Sequence, residues 1–122
     1  MKKKVNILGT MYTFRRVNFK EDKFIEKMHW GGYCDSITKE IVILNLKTTP
    51  DFANETEEMI VRKEKEILRH EIIHAFFNES GLGWNSLPVE QAWAKNEEMV
   101  DWFAIQFPKI LKVYKELGCE GE

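Results

Sequence analysis

The chain has little from which to build a covalent framework. Its 122 residues include only two cysteines, Cys34 and Cys119. They form no CxxC pair, which argues against a disulfide-stapled or cysteine-rich scaffold and points to free thiols in a reducing compartment. Three prolines and seven glycines are too few for a collagen-like or linker-type chain, and no internal repeat is visible. No apolar run approaches the roughly 18 residues needed to cross a bilayer. The opening lysines lead into Val5, Asn6, Ile7 and Leu8 and then into polar residues, a stretch too short and too polar for a signal peptide. The expected location is therefore cytoplasmic, with no membrane partner. An excess of one charge is missing too: 18 basic side chains face 20 acidic ones, for a net charge of -2, which argues against nucleic acid as a partner. The one basic block, Lys2-Lys3-Lys4, reads as a solvated terminus.

What is present suits a single packed domain over residues 1–122. Hydrophobic residues make up 43% and aromatics 12%, enough for a core and too many for wholesale disorder. The first half reads as strand. Tyr12 to Val17 is β-branched and aromatic, Phe24, Ile25 and Met28 suggest a short helix or turn, and Gly31-Gly32 breaks the chain. Tyr33-Cys34-Asp35 and Ile41 to Leu46 read as a hairpin, and Ile41-Val42-Ile43-Leu44, apolar on both faces, is expected to be a well-covered strand.

The second half reads as helix. Asn54 with Glu57 three residues on suggests a capping box for a long helix ending near Glu79, stopped by Gly81 and Gly83. Val61, Leu68, Ile72 and Phe76 share one of its faces, with Ile73 and Phe77 on an adjacent stripe. Pro88 suits the first turn of a second helix carrying Ala92, Trp93, Met99, Val100, Phe103 and Ala104. Pro108 is expected to kink or end it, leaving a last short helix through Ile110, Leu111, Val113, Tyr114 and Leu117, closed by Gly118. Strands first and helices after imply an α+β fold.

Residues 70 to 74 read His-Glu-Ile-Ile-His, an HExxH pattern. Two histidines four apart on a helix lie one turn apart on the same face, so His70 and His74 can reach a single cation. Glu71 is rotated away from them and can sit beside a metal-activated water as general base without ligating. A chance HExxH in a chain this long has odds of roughly 1 in 300, and two of the three histidines are spent on it. A catalytic zinc of this kind needs a third protein ligand and one open position. Positions four and six past His74 are Asn78 and Ser80, and the remaining histidine, His29, lies upstream. The acidic run Asn96-Glu97-Glu98-Met99-Val100-Asp101 remains. Glu97 and Asp101 share a helix face, so Glu97 can ligate zinc while Asp101 accepts a hydrogen bond from a ligand histidine. Glu98 is the competitor for the ligand role.

HExxH followed by Asn-Glu-x-x-x-Asp resembles the gluzincin metallopeptidases, the thermolysin-like group, in which the Glu after Asn is the third ligand and the Asp stands behind a histidine. Asn96, Glu97 and Asp101 match those positions, and the 23-residue step from His74 to Glu97 is compatible. Glu97 to Ala104, with Phe103-Ala104 at its end, is also similar to the ImmA/IrrE family of small zincins, except that Asp101 replaces an Asn common there and no helix-turn-helix is fused to the chain. The resemblance covers roughly residues 30 to 107 and implies a minimal zincin-like fold: a small N-terminal sheet, the HExxH helix and a second ligand-bearing helix. It further implies a phage or mobile-element origin, Zn2+ as cofactor and a peptide or protein as substrate. The expected function is zinc-dependent peptide-bond hydrolysis. The competing expectation is a non-catalytic zinc-binding regulatory or interaction module with the same ligands; retention of Glu71, which a purely structural site does not need, favours the hydrolase.

His29, Tyr12 and Tyr33 are candidates to stabilise an oxyanion, although ordinary packing is the commoner role for each. Trp30, Trp84, Trp93 and Trp102 read as core or lid residues, with Trp84 beside the cleft. Lys63-Glu64-Lys65-Glu66 reads as a solvated helix face.

Overall fold

The computed structural model describes residues 2–81 and 96–116, with side chains for 3–81 and 96–112. The architecture is α+β: a four-stranded mixed sheet followed by two long helices. The strands are β1 (Lys2–Ile7), β2 (Thr10–Val17), β3 (Gly32–Asp35) and β4 (Glu40–Leu44). The helices are α1 (Lys23–Met28), α2 (Glu57–Glu79) and α3 (Glu97–Glu116). The sheet order is β1-β2-β4-β3, with β2 and β4 parallel and both outer pairs antiparallel.

β4 is the axis of the core. Ile41, Val42, Ile43 and Leu44 are all buried, as a strand apolar on both faces requires. Ile41 and Ile43 pack with Ile7, Tyr12 and Ala75, joined by Leu68 and Ile72 of α2. Val42 and Leu44 alternate to the other face and pack with Val17, Phe19 and Ile25 of α1, together with Leu46 and Ile60. The β3–β4 hairpin forms where expected. Gly32 faces Ile43 in its register, and a Cβ added at Gly32 would stand 2.7 Å from the Val42 carbonyl oxygen, while one at Gly31 would stand 2.7 Å from Ile67 Cδ1. Glycine here admits a close approach of strand, strand and helix.

Several expectations are corrected. Lys2 to Lys4 belong to strand β1 and are not a free terminus: the backbone pairs with β2 while Lys3 and Lys4 stay exposed and Val5 and Ile7 turn inward. Leu8 and Gly9, both with positive φ, make the two-residue turn that joins the pair. α2 is capped by Thr56, whose hydroxyl accepts from the Met59 amide, and not by Asn54, which follows a 3-10 turn at Pro50–Phe52. Its buried stripe runs through Ile60, Glu71 and Ala75, whereas Val61 and Phe76 are exposed. The helix that carries Met99, Val100, Phe103 and Ala104 begins after Asn96 and continues through Pro108 without ending there. Gly83, Trp84, Pro88, Ala92, Trp93, Gly118 and Cys119 lie outside the described residues. Among the described residues no helix is long and apolar enough to cross a membrane.

Candidate metal centre

The position of α2 is set from both ends. Near its start Glu64 accepts from Arg16 Nε at 2.7 Å and from the Leu46 amide at 3.1 Å. At its last turn Glu79 accepts from Tyr12 Oη at 2.7 Å and from Lys39 Nζ at 2.8 Å. The Lys39 hydrogen bond, followed by those from Thr10 and Tyr12, lowers the Glu79 carboxyl to about 2. Glu64 is therefore not part of a solvated face. A charge alternation along a helix conceals which carboxylate finds a partner on a distant strand, and nothing in the local pattern singled this one out.

Between those anchors the HExxH residues face the cleft. Their spacing puts the two imidazoles one turn apart, with ring centroids 4.8 Å from each other and Nε2 atoms separated by 3.2 Å. Glu71 lies on the buried stripe between helix and sheet, 8% exposed. Its carboxyl is pushed up to about 7, chiefly by burial; His70 opposes the shift, and the charges of Glu97 and Asp101 add to it. His70, Glu71 and His74 each place one ligand atom within 4.8 Å of the others, a grouping able to hold a metal ion.

α3 brings the acidic residues. Asn96 caps it, its side chain accepting from the Met99 amide at 2.9 Å, so Glu97 falls in the first turn where the helix dipole favours a carboxylate. One Glu97 oxygen lies 3.1 Å from His70 Nε2 and the other 3.2 Å from His74 Nε2. Asp101 Oδ1 lies 2.5 Å from His70 Nδ1. A carboxylate oxygen accepts, so that bond places a proton on Nδ1 and turns Nε2 toward Glu97 and His74. The two Nε2 atoms, 3.2 Å apart, thus each face a different oxygen of the same Glu97 carboxylate. Glu71 stops 3.9 Å from His70 Nε2.

Two cavities meet at this point. One of about 450 Å³ runs between β3 and α2, lined by Gly32, Tyr33, Cys34 and Ser36 on one side and His70, Glu71, His74 and Asn78 on the other, with Trp30 and Glu97 completing it. The second, about 310 Å³, shares Trp30, Gly32, His70 and Glu71 and continues over Leu46, Phe52 and Ile67 toward Lys63 and Glu66.

The other candidates fall elsewhere. Glu98 is exposed and lines an outer hollow with Met99, Trp102 and Ile105. His29 takes a left-handed C-cap conformation after α1, and its Nδ1 pairs with Asp51 at 2.8 Å; it lines neither cavity at the metal centre. Tyr12 donates to Glu79 and is fully buried. Tyr33 borders the larger cavity, but its hydroxyl donates to Asp22 at 2.6 Å. Burial, then the acceptor carboxylate, raises the pKa of both phenols. Trp30 stacks on Phe24 and borders both cavities, whereas Trp102 is exposed. Asn78, noted in the sequence only as a closed ligand route, lines the cleft one turn beyond His74. No family model, curated protein or solved structure matches this chain.

Proposed function

We propose that this chain is a zinc-dependent peptide-bond hydrolase of minimal zincin-like build. His70, His74 and Glu97 are its ligands, Asp101 orients His70, and Glu71 is the general base. One observation carries the reading: both imidazole Nε2 atoms lie 3.2 Å apart, each within 3.2 Å of a Glu97 oxygen, while a second carboxylate, Glu71, stands beside them buried and held near neutral pKa. When bound, zinc supplies Lewis acidity, polarising a carbonyl and acidifying a water. Glu71 takes the proton of the attacking water and hands it to the departing amine, a task suited to a carboxyl whose pKa lies near the working pH. A cation at the imidazoles opposes the upward push on Glu71 and favours its ionised, proton-accepting form. Asp101 holds the His70 ring in one tautomer throughout. β3 pairs only with β4 among the described residues and borders the cleft, so an extended peptide can add along it and lay its scissile bond across the imidazoles.

The test is Glu71→Gln in the zinc-loaded chain, assayed against a broad peptide library. Retained zinc with hydrolysis down by about 10²- to 10⁴-fold is the expected result. A wild-type chain that holds zinc and cleaves nothing in the library would leave the non-catalytic zinc module as the reading.

A further inference from the structure

Helix α3 continues through Pro108, and a proline inside a helix leaves one acceptor without its usual donor. Residue 108 has no N–H to offer the carbonyl four residues back, which is that of Ala104. Ala104 is 1% exposed, so solvent has little access to that residue. The donor comes from the other helix: Arg69 Nε reaches the Ala104 oxygen at 2.9 Å.

Arg69 is the residue immediately before His70. Cross-helix polar links follow in order. Arg69 meets Ala104, His70 meets Asp101, and His74 meets Glu97. Each step toward the C-terminus of α2 is a step toward the N-terminus of α3, so the two helices run antiparallel along this seam. Only the first link lies outside the metal centre. Pro108 distinguishes the Ala104 carbonyl from its neighbours along the helix, whose acceptors are engaged by the amide one turn on. The guanidinium therefore has one preferred docking point, and a slip of α3 by a single residue would carry Glu97 and Asp101 about 1.5 Å along the axis and rotate them about 100° away.

We propose that Arg69 and Pro108 together form a register device. The proline exposes one carbonyl, Arg69 engages it, and α3 is thereby set so that Glu97 and Asp101 meet the imidazoles. Arg69 is a positioning residue, not a ligand. The proposal rests on the zinc-site reading given above.

Zinc affinity of the full chain, measured by competition with a chromophoric chelator, tests it alongside thermal unfolding of the metal-free form. Arg69→Met is expected to weaken zinc binding by about 10- to 100-fold, the range for groups that orient ligands. Pro108→Ala, which returns an amide to compete for the Ala104 oxygen and favours the helix, is expected to raise the melting temperature while weakening zinc binding several-fold. That opposition of signs is the signature of positioning, and it remains readable if Arg69→Met does not fold. Unchanged zinc affinity in Pro108→Ala, or in a folded Arg69→Met, would overturn the proposal. Glu97→Gln is the control. If it binds zinc as the wild type does, or the wild type binds none, the zinc site itself falls and this device with it; if Glu97→Gln weakens binding and the Arg69 and Pro108 variants do not, only the device is lost.

Discussion

Helix α2 is tied to the sheet near both ends, through Glu64 to Arg16 and Leu46 and through Glu79 to Tyr12 and Lys39. Helix α3 packs chiefly against α2 and leaves Trp102, Ile105 and Phe107 exposed. The side chains at the metal centre follow the same division. His70 and His74 are 18% and 16% exposed, and Glu97 is 65% exposed. The imidazoles thus belong to a helix anchored to the sheet, whereas the carboxylate arrives on a helix that packs chiefly against α2. In such an arrangement a bound metal ion would add one more link between the helices.

The sharpest way to break this contrast is to remove a ligand. His74→Ala should lower zinc affinity beyond the about 100-fold upper bound for orienting groups, and hydrogen exchange should then quicken in α3 while α2 keeps its protection. Equal loss in both helices would refute the division into scaffold and dependent element. Next in size, Asp101→Ala should weaken zinc by about 10- to 100-fold, because the His70 ring loses the bond that fixes its tautomer; calorimetric titration of metal into the variant reads this directly.

The smallest effect concerns the scaffold alone. Glu79→Gln should cost about 1–2 kcal/mol at neutral pH and leave zinc affinity unchanged. The folded pKa of Glu79, about 2, lies below its ordinary value of 4.5, so its stabilisation is complete above about pH 4.5 and drains away as pH falls toward 2. The stability gap between wild type and variant, followed by urea unfolding, should therefore close over that acid window. A gap that widened there would contradict the assignment.

What could be foreseen from the residues follows the range of the forces involved. The β3–β4 hairpin, the HExxH helix and the shared face of Glu97 and Asp101 depend on neighbours a few positions away, and periodicity exposes them. Of the face expected on α2, Leu68 and Ile72 pack on the core while Val61 and Phe76 are exposed, because those two fit a helical repeat as well as Ile60 and Ala75 do. β1 has a weak signature because its lysines look solvated, as Lys3 and Lys4 are: the pairing uses backbone, and only Val5 and Ile7 carry an inward signal. The pairing of Glu64 with Arg16 spans 48 residues and has no local trace. Pro108 was expected to kink or end its helix, the usual result when a carbonyl is orphaned, and the arginine that supplies a donor is remote in sequence.

Gly31 and Gly32 lie where strand, strand and helix come closest. At Gly31 the atom met by an added methyl is the tip of Ile67, which can swing aside; at Gly32 it is the Val42 carbonyl, part of the sheet's own main chain. The width of the trench beside Glu71 is thereby fixed by rigid backbone at one glycine and by an adjustable side chain at the next. Two adjacent codons carry very different freedom to drift, and the first is where the groove could be reshaped by small steps without taking the sheet apart.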